Sequence, residues 1–159
     1  IASSMKCFDK IGFLDDTNKT ALGKLSDYEK YAGEYANVFV AFGDAELRMR
    51  WIEKTGKTFL NVALLVSPFA HISPSVVIRR GCVVEPMSVV GTNAELSTGV
   101  IVSAGAVIGH GAFIGDCCHI DCGAVVSPNS LIPAGTHIRC GETAKREMIK
   151  TAQTGHNNV

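Results

Sequence analysis

Five histidines and a pair of adjacent carboxylates, Asp15 and Asp16, are the residues of this 159-residue chain best suited to proton transfer and to holding a polar ligand. Imidazole exchanges a proton near neutral pH, so a histidine is the natural base for an attacking amine or hydroxyl. His110 stands in Val107-Ile-Gly-His-Gly-Ala-Phe-Ile-Gly115, and His119 follows in Gly115-Asp-Cys-Cys-His-Ile-Asp-Cys-Gly123. His137 comes further along, while His71 lies far upstream and His156 falls in a polar tail. On composition alone each of these is equally a solvated surface imidazole.

The elements that must position them are set by a repeat. From Val66 onward every sixth residue is aliphatic: Val66, Ile72, Ile78, Val84, Val90, Leu96, Val102, Ile108, Ile114, Ile120, Val126 and Ile132. Four places after each stands a small or β-branched residue, from Ala70 and Val76 through Ala106, Ala112, Cys118 and Ala124 to Ser130 and Thr136. The residue before that small one is Gly or Asn in most hexads (Gly81, Asn93, Gly99, Gly105, Gly111, Gly123, Asn129, Gly135), residue types that accept a left-handed corner. A six-residue period predicts a parallel β-helix of stacked coils around a narrow continuous core. Three hexads make one triangular coil, so the run makes about four. His119 and His137, three hexads apart, then share one angular position on adjoining coils, where their rings can stack.

The same register accounts for most of the cysteines. Cys82 and Cys118 fall on inward small positions, where a thiol packs as a small apolar group. Cys122 and Cys140 are three hexads apart, one coil, so their Cα atoms are expected ~4.8 Å apart, within disulfide range, although a cytosolic setting would keep them reduced. Cys117, Cys118 and Cys122 lack a paired C-x2-C arrangement, so no metal is expected.

Ahead of the repeat, Lys10-Ile-Gly-Phe-Leu-Asp-Asp16 reads as a β-strand ending in two acids, and Ser26-Asp-Tyr-Glu29 as the capping box of a short helix. Asn37–Phe42 reads as a buried strand, and Asp44 as the cap of a second helix whose Leu47, Trp51 and Ile52 share a face before Gly56 ends it. The domain reading is a partial α/β (Rossmann-like) acceptor-binding region over 1–60, the β-helix over 61–141, and a C-terminal helix with tail over 142–159, the helix running from Glu142 to Thr151.

Fifteen basic and fifteen acidic residues cancel, and no Lys/Arg cluster exceeds Arg79-Arg80. That leaves no electrostatic footprint for nucleic acid or an anionic membrane surface. The apolar stretches fall short of the ~20 residues of a spanning helix, and Ile1-Ala-Ser-Ser-Met-Lys has no signal-peptide core, so a cytoplasmic protein with a small-molecule partner is expected.

The hexads, including Val102-Ser-Ala-Gly-Ala-Val and Ile108-Gly-His-Gly-Ala-Phe-Ile-Gly-Asp, resemble the left-handed β-helix acyltransferases of the hexapeptide-repeat superfamily. Gly12-Phe-Leu-Asp-Asp16, Val38-Phe-Val-Ala-Phe-Gly-Asp44 with Arg48, and Ser67-Pro-Phe-Ala-His-Ile-Ser-Pro74 narrow the resemblance to the branch of nucleotide-sugar N-acetyltransferases and sialic-acid O-acetyltransferases. The resemblance implies acetyl-CoA as co-substrate and a homotrimer with sites shared between subunits. His110 matches the family's catalytic base, and His119 a histidine kept near the acyl-CoA and acceptor. Backbone N–H groups near the Gly-rich corners could supply donors to the thioester oxyanion, with Gly123 a candidate. Arg139, Lys145 and Arg146 could meet the CoA phosphates, with a solvated terminal helix as the alternative reading of these basic residues. Asp15 and Asp16, with Gly43 and Asp44, would contact the nucleoside or sugar of the acceptor.

Three departures matter. The residue after the base, often an acid in the family, is Gly111; Pro128 stands where relatives often place Gly; and the sequence begins after the strand and Gly-rich turn with which family members start. The chain is therefore expected to be a fragment or a member lacking half its sugar-nucleotide site. These departures keep a rival reading open, a non-enzymatic or degenerate trimeric β-helix subunit. A γ-carbonic-anhydrase-like zinc protein would need a closer histidine pair than positions 110, 119 and 137 offer.

Overall fold

The computed structural model describes residues 1–145. Fourteen two-residue strands, all parallel, wind into a β-helix of rather more than four coils. Its first sheet holds β3 (Leu65–Val66), β6 (Val83–Val84), β9 (Ile101–Val102), β12 (His119–Ile120) and β15 (His137–Ile138). The second holds β4 (His71–Ile72), β7 (Val89–Val90), β10 (Val107–Ile108), β13 (Val125–Val126) and β16 (Thr143–Ala144). The third holds β5 (Val77–Ile78), β8 (Glu95–Leu96), β11 (Phe113–Ile114) and β14 (Leu131–Ile132). Every pairing in these sheets joins a residue to its counterpart three hexads on, as His119 to His137. That is the coil length the repeat predicts.

The second residue of each strand points inward. Val84, Val90, Leu96, Val102, Ile114, Ile120 and Val126 are fully buried, and the small positions Cys82, Ala94, Ala106, Cys118 and Ala124 fill the spaces between them. The eight Gly and Asn corners read from the sequence all adopt positive φ, and so do Met87 at 64° and Cys117 at 51°, which carry a side chain into a conformation that L-residues avoid. Burial pushes the Cys82 thiol up to about 12, so it stays an inert packing group.

The expected C-terminal helix does not begin at Glu142. Glu142 lies in a turn and Thr143–Ala144 extends the second sheet as β16, because the ladder still finds partners in Val125 and Val126 one coil above. The rest of that segment, Arg146 and His156 included, lies outside the described residues.

The N-terminal region departs further from its expected form. A one-turn helix α1 (Ala2–Met5) is followed by an irregular stretch, and Lys10–Asp16 is not a strand. Asp15 Oδ1 accepts from Thr17 N, Thr17 Oγ1 and Asn18 N, which folds the chain back so that Leu22 N donates to Phe13 O and Asp15 N to Gly23 O. The first helix is a 3-10 turn, Leu25–Tyr31, closed by Asp27 Oδ2 on Lys24 N rather than by Ser26 and Glu29. The buried strand shrinks to β1 (Asn37–Val38), paired in parallel with β2 (Asn61–Val62). Helix α2 (Ala45–Thr55) forms as expected, with Asp44 Oδ1 accepting from Leu47 N. Ile52 is fully buried against Cys117 and Val40. Among the described residues no helix is long and apolar enough to cross a membrane.

Arg48, on α2, ties this region to the β-helix. It has no solvent exposure and is surrounded by main-chain oxygens: its Nη1 donates to Phe42 O and Gly43 O, its Nε to Gly99 O and its Nη2 to Cys117 O. Two of these carbonyls come from its own region and two from β-helix corners one coil apart. The planar fork of donors suits such a junction, since each guanidinium nitrogen finds an acceptor without a second charge being buried.

Candidate functional site

His110 occupies the corner between β10 and β11, where the second sheet meets the third. Main-chain bonds hold that corner from both sides: Asn129 N donates to His110 O at 2.8 Å and Gly111 N to Thr92 O at 2.9 Å. Gly91, one coil above Gly109, makes the close stacking possible, since a Cβ there would lie 2.8 Å from His110 N. The imidazole is exposed and makes no side-chain hydrogen bond among the described residues.

Gly111 has φ +64°, and a Cβ on it would lie 2.4 Å from Asn129 Oδ1. An acid here, as often follows the base in the family the hexads resemble, would have to displace the Asn129 side chain and take a left-handed φ.

His119 faces outward from the first sheet, across the prism from the His110 corner. The two histidines the sequence grouped near one acyl donor are thus on opposite sides of a single chain. His119 is half-buried, and its Nε2 shares a hydrogen bond of 3.0 Å with Ser103 Oγ on the coil above. Burial, then the neighbouring His137 ring, holds its pKa below the ordinary 6.5. The rings of His119 and His137 stack at 4.7 Å between centroids and 10° between planes.

One coil further on, the Ser103 to His119 contact is repeated between Asp121 and His137. Asp121 Oδ2 lies 3.3 Å from His137 Nε2, and Oδ1 lies 4.0 Å from His119 Nε2. The Cys122 N–H and His137 hold the Asp121 carboxyl below its ordinary range. Sequence reasoning missed Ser103 and Asp121 because both contacts run diagonally between coils, joining positions that the ladder register does not pair.

Gly123 shares the corner between the first and second sheets with Arg139. Its N–H is already donated to Ala104 O at 3.1 Å, so it has no free hydrogen for an oxyanion. This corrects the reading of Gly123 as that donor; what it offers is open space, since a Cβ there would meet nothing. Arg139 is exposed. Lys145 lies two coils from Gly109, on the His110 edge, so Arg139 and Lys145 serve different edges of the prism.

Asp15 and Asp16 line a cavity of about 560 Å³ between the segments Gly12–Thr17 and Asn37–Phe42. Its other walls are largely aromatic, with Phe13, Tyr28, Phe39 and Trp51, and among the described residues no Lys or Arg lines it. Asp15 is held ionised by the Thr17 hydroxyl and the Thr17 and Asn18 N–H groups, and Asp16 Oδ1 accepts from Leu25 N. Gly43 and Asp44 do not line this cavity. The Gly43 carbonyl binds Arg48 and the Asp44 carboxylate caps α2, so both act in positioning the helix.

No protein-family model and no curated protein matches the chain. Solved structures do. The acetyltransferase domain of PglB from Neisseria gonorrhoeae FA1090 superposes with a TM-score of 0.69 at 22% identity, covering 91% of this chain and 82% of that one. The same domain in complex with acetyl coenzyme A gives 0.66 at 24%, over 89% and 86%. PerB from Caulobacter crescentus, in complex with CoA and GDP-perosamine, gives 0.60 at 23%, over 85% and 76%. The chain shares their fold. The likeness extends over both the β-helix and most of the N-terminal region, as the coverage requires.

Proposed function

We propose that the chain is an acetyl-CoA-dependent acetyltransferase that acylates the amine of a nucleotide-linked amino sugar, with His110 as general base. The observation that carries this reading is the exposed, unengaged His110 imidazole on a corner of a β-helix whose fold is that of sugar N-acetyltransferases.

In the reaction the amine attacks the thioester carbonyl, His110 accepts the amine's proton, and the CoA thiolate leaves as the tetrahedral intermediate collapses. With Gly111 beside it, the ring takes its orientation from the bound substrates or from a second copy rather than from a neighbouring acid.

A second copy is also what the topology favours. His110 and His119, and likewise Lys145 and Arg139, serve one acyl-CoA only if the edge of one prism faces the first sheet of another, as in a homotrimer. Exposed apolar side chains on the other two sheets, Val77, Phe113 and Leu131 on the third and Val89 and Val107 on the second, supply surface that subunit contact would bury. The aromatic cavity suits a nucleoside or sugar, with Asp15 and Asp16 accepting from hydroxyls. With no cation among its lining residues, the diphosphate would lie outside it.

The test is release of free thiol from acetyl-CoA with a panel of nucleotide-linked amino sugars. Turnover that falls ~10²–10⁴-fold in His110→Ala is the expected result. Undiminished turnover in that variant would remove His110 as base, and CoA binding without turnover on any acceptor would favour a degenerate subunit.

A further inference from the structure

The first sheet carries a cluster of two imidazoles and a carboxylate, of which only His119 has a part in the proposed acyl transfer. His119 and His137 are ladder partners on β12 and β15, and Asp121, two positions beyond His119, lies on the same outer side at the end of the strand. One ligand atom from each of the three lies within 4.8 Å of the others. Their side chains are 25%, 30% and 52% exposed for His119, Asp121 and His137, so solutes reach all three.

We propose that His119, Asp121 and His137 form a binding site for a borderline divalent transition-metal ion of the Zn²⁺ class on the outer face of the β-helix. Two imidazoles and one carboxylate are a donor set that such ions prefer, and three protein ligands leave a further position for water or another ligand. Hard cations such as Mg²⁺ prefer all-oxygen sites.

Bond lengths near 2.0–2.1 Å bring two nitrogens on one ion to within about 4 Å of each other, a small closure from the present spacing. In the stack the two rings lie parallel, and His137 Nε2, which hydrogen-bonds Asp121, gives up its proton to bind the ion. The rings therefore tilt about Cβ–Cγ to converge, and His119 exchanges its Ser103 hydrogen bond for the metal. Asp121, already between the two nitrogens, needs the least movement. Within one chain the site faces away from His110, and His119 is the residue it would share with the proposed acyl-CoA site.

Untagged, chelator-stripped chain is titrated with Co²⁺, following the visible d–d absorption of the bound ion, with Zn²⁺ and then Mg²⁺ as competitors. The expected result is one ion per chain, displaced by Zn²⁺ and not by Mg²⁺, with affinity falling at least ~10-fold in His137→Gln and in Asp121→Asn. Uptake should be unchanged in His110→Ala, in His156→Ala, and in the double variant Cys122→Ser with Cys140→Ser. No uptake by wild type, uptake that survives His137→Gln or Asp121→Asn, or uptake abolished by the cysteine or His156 changes would each overturn the assignment. His137 is exposed, and an unchanged circular dichroism spectrum separates loss of the site from loss of the fold.

Discussion

Between Leu65 and Ala144 each strand bonds to a counterpart one coil away, whereas the chain up to Val62 holds one strand pair, Asn37–Val38 with Asn61–Val62, and is fastened to the β-helix by Arg48 and the buried Ile52. In the β-helix the same local rule is applied in every coil, so no single residue carries the architecture. In the N-terminal region a few side chains decide it: Asp15 closes a turn, Asp44 starts α2, and Arg48 docks that helix. Order obtained by repetition tolerates local failure better than order obtained by a few buried contacts.

The strongest way to break this comparison is Arg48→Ala. It strands four main-chain acceptors and leaves a cavity, so a loss of about 4 kcal/mol is expected by denaturant unfolding. Hydrogen exchange should place that loss in Ala45–Thr55, with the β-helix amides still protected; equal loss of protection in both regions would mean that the coils depend on the N-terminal region as much as it depends on them.

Met87→Gly probes the repeat from the other side. Met87 is 75% exposed at φ 64°, so glycine removes strain and gives up little packing. A gain of about 0.5–1 kcal/mol is expected, and a loss would show that the exposed Met87 side chain packs in an assembly.

The smallest effect is expected from pH. Burial favours the neutral His119 ring, so the folded chain releases its proton below the ordinary 6.5. Between the two values the unfolded state binds more protons. In metal-free buffer stability should therefore be complete above pH 6.5 and decline as pH falls through that window toward the folded value. His119→Gln should flatten this part of the profile, and an unchanged decline would assign it to another group.

The hexads made the β-helix legible down to individual side chains. Ile108 and Ala112 are core because their place in the period says so, and His119 meets His137 because three hexads make one coil. Met87 and Cys117 were not legible as left-handed corners, since nothing in those side chains favours positive φ and the stacked coils impose it. Lys10–Asp16 has the composition of a strand but pairs only at Phe13 and Asp15, with the chain that folds back at Leu22 and Gly23, too little for a ladder. Gly123 looked like a free donor until the coil above supplied a carbonyl.

By itself the sequence determined the repeat, the coil length, the core and which residues face outward, because each follows from a rule that every hexad obeys locally. Tertiary structure alone decided that Asp121 reaches His137 and that Arg48 joins two regions through carbonyls. Those outcomes depend on how turns of chain stack in space, and the contacts they create join residues whose types carry no trace of the partner.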